Sequence, residues 1–95
     1  MSHFVGTLVV ELYIPEAHTL KEKRSVVKSV VSRTRDRFNV SVAEVDHHDL
    51  WQRAEIAIVL VSVSHTEVER KLETILSFIQ SLVSGDVISV RKEVF

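Results

Sequence analysis

Seven of the chain's twelve lysines and arginines crowd into one short stretch: Lys21, Lys23, Arg24, Lys28, Arg33, Arg35 and Arg37, opposed there only by Glu22 and Asp36. The chemistry open to such a cluster is anion recognition, because ammonium and guanidinium groups form charge-assisted hydrogen bonds to phosphate and release its condensed counterions. On a helix turning about 100° per residue, Lys21, Arg24, Lys28 and Arg35 fall in a stripe roughly 60° wide, beside the apolar face, with Lys23, Arg33 and Arg37 flanking it. That stripe predicts contact with a phosphate backbone, RNA being the candidate partner. The same residues also read as a solvated helix face, paired with Glu22, Asp36 or acids of neighbouring elements. The formal net charge of −1 conceals this segment entirely.

Asp46-His47-His48-Asp49 is the one grouping with metal-ligand or phosphoesterase character. Neighbouring residues of an extended segment point to opposite sides, so His47 and His48 share a metal only if the turn twists them together. The further Asp motifs of a phosphoesterase are missing, and a hairpin turn is the simpler reading. His3, His18 and His65 are isolated in the sequence. No metal and no cofactor site is assigned on this basis.

Other chemistries lack their parts. The chain has no G-x-S-x-G elbow, no P-loop and no G-x-G-x-x-G. With only Gly6 and Gly85, a glycine loop that cradles phosphate cannot be built, which removes the acylphosphatase reading. The absence of cysteine removes thiol catalysis, disulfides and a metal-chaperone pair. The expectation is a non-enzymatic protein.

The elements that must carry these residues follow from periodicity. Phe4 to Ile14 is rich in β-branched and aromatic residues and reads as a long central strand covered on both faces, ended by Pro15. Thr19 and Glu22 have capping-box spacing. Beyond them Leu20, Val27, Val30, Val31, Thr34 and Phe38 mark the inner face of a first helix running to about Phe38. Val40 to Val45 alternates as a second strand, and Gln52 to Ser64 reads as a third, again apolar on both faces. A second helix starts from one of two overlapping capping boxes, Ser64 with Glu67 or Thr66 with Glu69, and carries the stripe Val68, Leu72, Ile75, Leu76, Ile79, Val83. Val87 to Phe95 is a more polar fourth strand, suited to a sheet edge.

The order β-α-β-β-α-β predicts a single α+β domain, 1–95, with a ferredoxin-like four-stranded antiparallel sheet and both helices on one face. A chain of 95 residues buries roughly 60–65% of its unfolded surface, so its 45% hydrophobic content must be used efficiently. The longest apolar run, Ile56 to Val61, is too short to cross a bilayer. No signal-peptide pattern opens the chain, and a cytoplasmic protein with no membrane partner is expected.

Two functional consequences follow. Base stacking on the sheet, as in RNA-recognition motifs, is disfavoured: the third strand has no aromatic residue, and Phe4 and Tyr13 differ in parity on the first. The sheet face away from the helices should be rich in Val, Leu, Ile and Ala, which monomers rarely expose. A homodimer, or a protein-interaction or effector-binding module using that face, is the alternative to RNA binding. Trp51 reads as a packing anchor that tucks its loop against the sheet edge or a partner subunit.

Three segments, Thr19-Leu20-Lys21-Glu22-Lys23-Arg24-Ser25-Val26-Val27-Lys28, Arg37-Phe38-Asn39-Val40-Ser41-Val42-Ala43-Glu44-Val45-Asp46 and Asp49-Leu50-Trp51-Gln52-Arg53-Ala54, resemble the YlxP-like family of small bacterial proteins of unknown function. The resemblance spans essentially the whole chain and implies a ferredoxin-like fold. It also implies genes neighbouring those of translation initiation and ribosome maturation factors, hence a ribosome-associated accessory role with a ribosomal subunit as partner. Lys21, Lys23, Arg24 and Lys28 belong to this signature. So do Asp46, Asp49, Gln52 and Arg53, to which no catalytic role attaches; Arg53 is expected to hold the hairpin through an ion pair with a nearby acid.

Overall fold

The structure, a computed structural model, describes residues 2–95. Its elements run β1 (Phe4–Tyr13), α1 (Leu20–Arg37), β2 (Ser41–Asp46), β3 (Arg53–Ser62), α2 (His65–Leu82) and β4 (Val87–Val94). The strands form one sheet in the order β2-β3-β1-β4, every pairing antiparallel. This is the ferredoxin-like α+β arrangement expected from the periodicity, with element ends within two residues of those expected.

Each helix begins at a side-chain cap. Thr19 accepts a hydrogen bond from the Glu22 amide at 3.1 Å, while the Glu22 carboxylate accepts from the His18 amide at 3.3 Å, one residue before the usual partner. For α2 the cap is Ser64, which accepts from the Glu67 amide at 3.2 Å. That choice excludes Thr66, which lies inside the helix.

The core lies between the sheet and the two helices. Leu8, Val10 and Leu12 of β1 and Ala54, Ile56, Ile58 and Leu60 of β3 face Val27 and Val30 of α1 and Val68, Leu72, Ile75 and Ile79 of α2, all of them buried. Alternate residues of the same strands point away from the helices: Val5, Thr7, Val9, Glu11 and Tyr13 pair in register with Val61, Val59, Ala57, Glu55 and Arg53. This second face is open, with Val59 39% and Val61 63% exposed.

A bulge in β2 does local work. Glu44 pairs with Ile56, but Asp46 pairs with Glu55, so Val45 is an extra residue. Without it Glu44 and Asp46 would share a face; with it Glu44 turns toward the helices and Asp46 toward the open face.

A basic ridge on the first helix and a charged row on the open sheet face

The seven cations of α1 divide three ways. Lys21, Arg24, Lys28 and Arg33 are exposed, and none has a carboxylate within ion-pairing distance among the described residues. Lys21, Arg24 and Lys28 occupy one ridge; Arg33 sits well around the helix from it. Arg35 continues the ridge, although one guanidinium nitrogen donates to the Val42 carbonyl at 3.2 Å, fixing the arginine against edge strand β2. Arg37 belongs to another surface: its guanidinium carbon lies 5.3 Å from the centre of the Phe78 ring on α2, a cation–π contact that joins the helix ends.

Lys23 departs from the expectation most. It is completely buried, and its ammonium donates to Glu44 Oε2 at 2.7 Å and to the His47 carbonyl at 2.8 Å. It is not a phosphate ligand but the pin between α1 and the β2–β3 hairpin. The spacing carried the signal: Lys23 precedes Val27 by four residues and Val30 by seven, which puts it at the middle of the buried stripe. Charge alone placed it on the basic face. In a buried stripe, a lysine implies a buried acceptor, and Glu44 on the alternating strand β2 is that acceptor.

The turn after β2 is organised by the same pin. His47 adopts a left-handed conformation, φ 63°, and its carbonyl accepts from both Lys23 and the Leu50 amide. Asp46 accepts from the His47 amide at 2.7 Å, stabilising a conformation that non-glycine residues seldom take. His47 turns its ring toward Glu11, Nε2 to Oε2 3.7 Å, while His48 and Asp49 are exposed. The four polar residues therefore do not converge. Among the described residues, no three His, Asp or Glu side chains gather at a metal-sized site.

Trp51 is 54% exposed and Leu50 41% exposed, so neither tucks the hairpin loop against the sheet edge. Gln52 anchors the loop instead, its amide nitrogen donating to the Ala17 carbonyl at 3.1 Å and approaching that of Pro15 at 3.5 Å. A polar side chain wins this position because the β1–α1 connection presents unpaired carbonyls there, not an apolar surface.

The open face carries a charged row that periodicity does not reveal. Glu11 and Glu55 are register partners on the two central strands, two carboxylates side by side. Left alone they would repel. Arg53 pairs with Glu11, and Arg91 reaches across β1 to Glu55 at 3.2 Å. Arg53 thus finds the acid expected of it. The visible signal was one carboxylate interrupting each of two otherwise apolar strands. Val5, Val9, Ala57, Val59 and Val61 occupy the other half of the same face. Phe4 belongs to the helix side, edge-on to His65 at 5.3 Å, so no aromatic pair stands on the sheet.

Comparison with known proteins places this architecture. Among solved structures, the designed protein Foldit4 superposes with a TM-score of 0.58 at 15% identity, covering 98% of this chain and 96% of the other, a likeness of fold alone. In sequence, the chain is 37% identical over 91 residues to the uncharacterized protein YlxP of Bacillus subtilis (strain 168), covering 96% of this chain and 99% of that one. The model of the family described as protein of unknown function DUF503 matches residues 5–92, and the chain belongs to that family.

Proposed function

We propose that this protein is an RNA-binding accessory factor of the ribosome, holding phosphate backbone along the ridge Lys21, Arg24, Lys28 and Arg35. The observation that supports the reading is the unpaired state of three of these cations on one exposed helical ridge, while the three basic residues of the sheet, Arg53, Arg91 and Lys92, are each matched to a carboxylate. Unpaired cations in a row have no folding task, and their hydration and counterions are released by a phosphate chain. The gene neighbourhood implied by the YlxP-like resemblance points the same way. Catalysis has no part in this reading, since the ridge positions no nucleophile or general base beside a pocket.

The test is co-sedimentation of the protein with ribosomal subunits at low and at moderate salt. Binding to one subunit that weakens with salt, and disappears in the triple variant Lys21→Glu/Arg24→Glu/Lys28→Glu, is the expected result. Unchanged binding in that variant defeats the proposal.

A second reading rests on the other side of the molecule. The exposure of Val59 and Val61 on a face that none of the described elements covers supports a docking module for a protein or effector. The two readings use opposite surfaces and are compatible.

A further inference from the structure

We infer that Trp51 is a stacking platform for an unpaired base of the RNA whose phosphates lie along Lys21, Arg24, Lys28 and Arg35. The inference rests on the phosphate-ridge reading above and adds a ligand class to it: single-stranded or looped RNA in place of a continuous duplex.

Two contacts align α1 with edge strand β2. Arg35 donates to the Val42 carbonyl near the end of the helix, and Lys23 donates to Glu44 and to the His47 carbonyl near its start. β2 therefore runs back along the helix and delivers the β2–β3 turn to the first turn of α1, where the ridge begins at Lys21. The ridge itself lies on the β2 flank of the helix. Arg35 belongs to it and touches β2, whereas Arg37, about 200° further round, lies over Phe78 of α2. From Lys21 to Arg35 the ridge is about 21 Å long. Trp51 stands in the turn at its Lys21 end, 54% exposed.

The turn is held without help from the indole. The Gln52 side chain donates to the Ala17 carbonyl at 3.1 Å, the Gln52 carbonyl accepts from the Ile14 amide at 2.8 Å, and the Leu50 amide donates to the His47 carbonyl at 3.1 Å. Trp51 thus rides on backbone fixed on both sides, and little freedom is lost when a flat ring stacks on it. Every nucleobase offers such a ring, so the contact tolerates many sequences.

Charge sorts the two parts of a nucleotide between helix and turn. Asp46 and Asp49 are exposed at the same hairpin end as Trp51 and repel phosphate, while the free cations of the ridge attract it. The backbone is held on the helix and the base is left to the indole. A duplex cannot use both, because its bases are already paired and stacked on one another.

Trp51 is the single tryptophan of the chain, so its emission reports this site alone. The full-length protein is titrated with a short mixed-sequence RNA, first single-stranded and then annealed to its complement. Fluorescence anisotropy of labelled RNA measures binding, and tryptophan emission with unlabelled RNA measures stacking. Both RNAs should bind with salt dependence, but only the single strand should quench the emission. Trp51→Ala should weaken single-strand binding by at least about fivefold and leave the salt slope unchanged, since no charge is removed. Trp51→Tyr, which keeps an aromatic face, should recover most of the loss. With the indole exposed on a turn pinned by other groups, both variants should keep the wild-type circular dichroism spectrum. Salt-dependent binding of the single strand with unquenched emission, or with Trp51→Ala as tight as wild type, overturns this inference alone; the ridge reading stands and Trp51 is left to a protein partner. Equal quenching by the duplex overturns the unpaired base as ligand. No binding of either RNA at low salt overturns the ridge reading and this inference with it.

Discussion

The ammonium of Lys23 lies 2.7 Å from the Glu44 carboxylate, with the lysine side chain wholly excluded from water and the glutamate side chain 14% exposed. One helix and one edge strand are joined by this contact, and the His47 carbonyl completes it. Replacing Lys23 by Met removes the donor and leaves a largely buried carboxylate with no cation. The expected loss is about 3–5 kcal/mol, a large share of the stability of a domain this size, while Lys23→Met combined with Glu44→Leu should recover much of it. Urea unfolding of the three proteins checks this; equal stability of Lys23→Met and wild type would mean that the pair is not formed.

For the exposed ridge, single substitutions separate phosphate ligands from bystanders. Lys21→Ala, Arg24→Ala and Lys28→Ala should each reduce the slope of log affinity against log salt by about 0.7 to 0.9 for an RNA ligand, with stability changed by no more than about 0.5 kcal/mol. Arg37→Ala should leave the slope unaltered, because its guanidinium sits over Phe78. Fluorescence anisotropy with a labelled ribosomal RNA fragment over a salt series gives these slopes directly.

Thr34 is fully buried on the inner face of α1, and its hydroxyl oxygen has no hydrogen-bond partner among the described residues. A buried hydroxyl without a partner forfeits its hydration for nothing, so Thr34→Val, which keeps the shape and removes the polar atom, should be neutral or stabilising by about 1 kcal/mol. Thermal unfolding reads the sign. A clear destabilisation would reveal a partner for the hydroxyl.

Gly85 is required for space. A Cβ there would collide with the Tyr13 carbonyl oxygen and lie 2.6 Å from Pro15 Cδ, both fixed by the end of β1. The Tyr13 amide in turn donates to the Asp86 carbonyl at 2.9 Å, so the turn before β4 closes directly on β1. Gly85→Ala should cost about 1–3 kcal/mol through overpacking, and amide exchange at Tyr13 should accelerate along with it.

Much of the architecture was legible because it depends on local periodicity. The nearly continuous apolar runs in Phe4 to Tyr13 and Arg53 to Ser62 mark two strands; both faces were expected to be covered, and the structure covers only the face toward the helices. The 3.6-residue stripe ending in Leu72, Ile75 and Ile79 defines α2, and capping residues mark both helix starts. Where two caps competed, at Ser64 and Thr66, sequence spacing could not choose, since both satisfy the same local pattern. The end of β3 decided, because Ser62 is its last paired residue and leaves Ser64 extended at the cap.

The sequence by itself determined the element order, the basic character of α1 and the presence of an uncovered apolar sheet face. These are properties of neighbours along the chain. Tertiary structure decided which charges are available. Lys23 and Lys21 differ by two positions and have the same side chain, yet one is a buried pin and the other a free cation, because a rotation of about 200° on the helix moves a residue from solvent to the sheet. Likewise Glu11 and Glu55 are far apart in sequence, and only antiparallel pairing brings their carboxylates side by side and recruits Arg53 and Arg91. The fate of an ionisable group is set by what lies across from it, and that is a long-range fact.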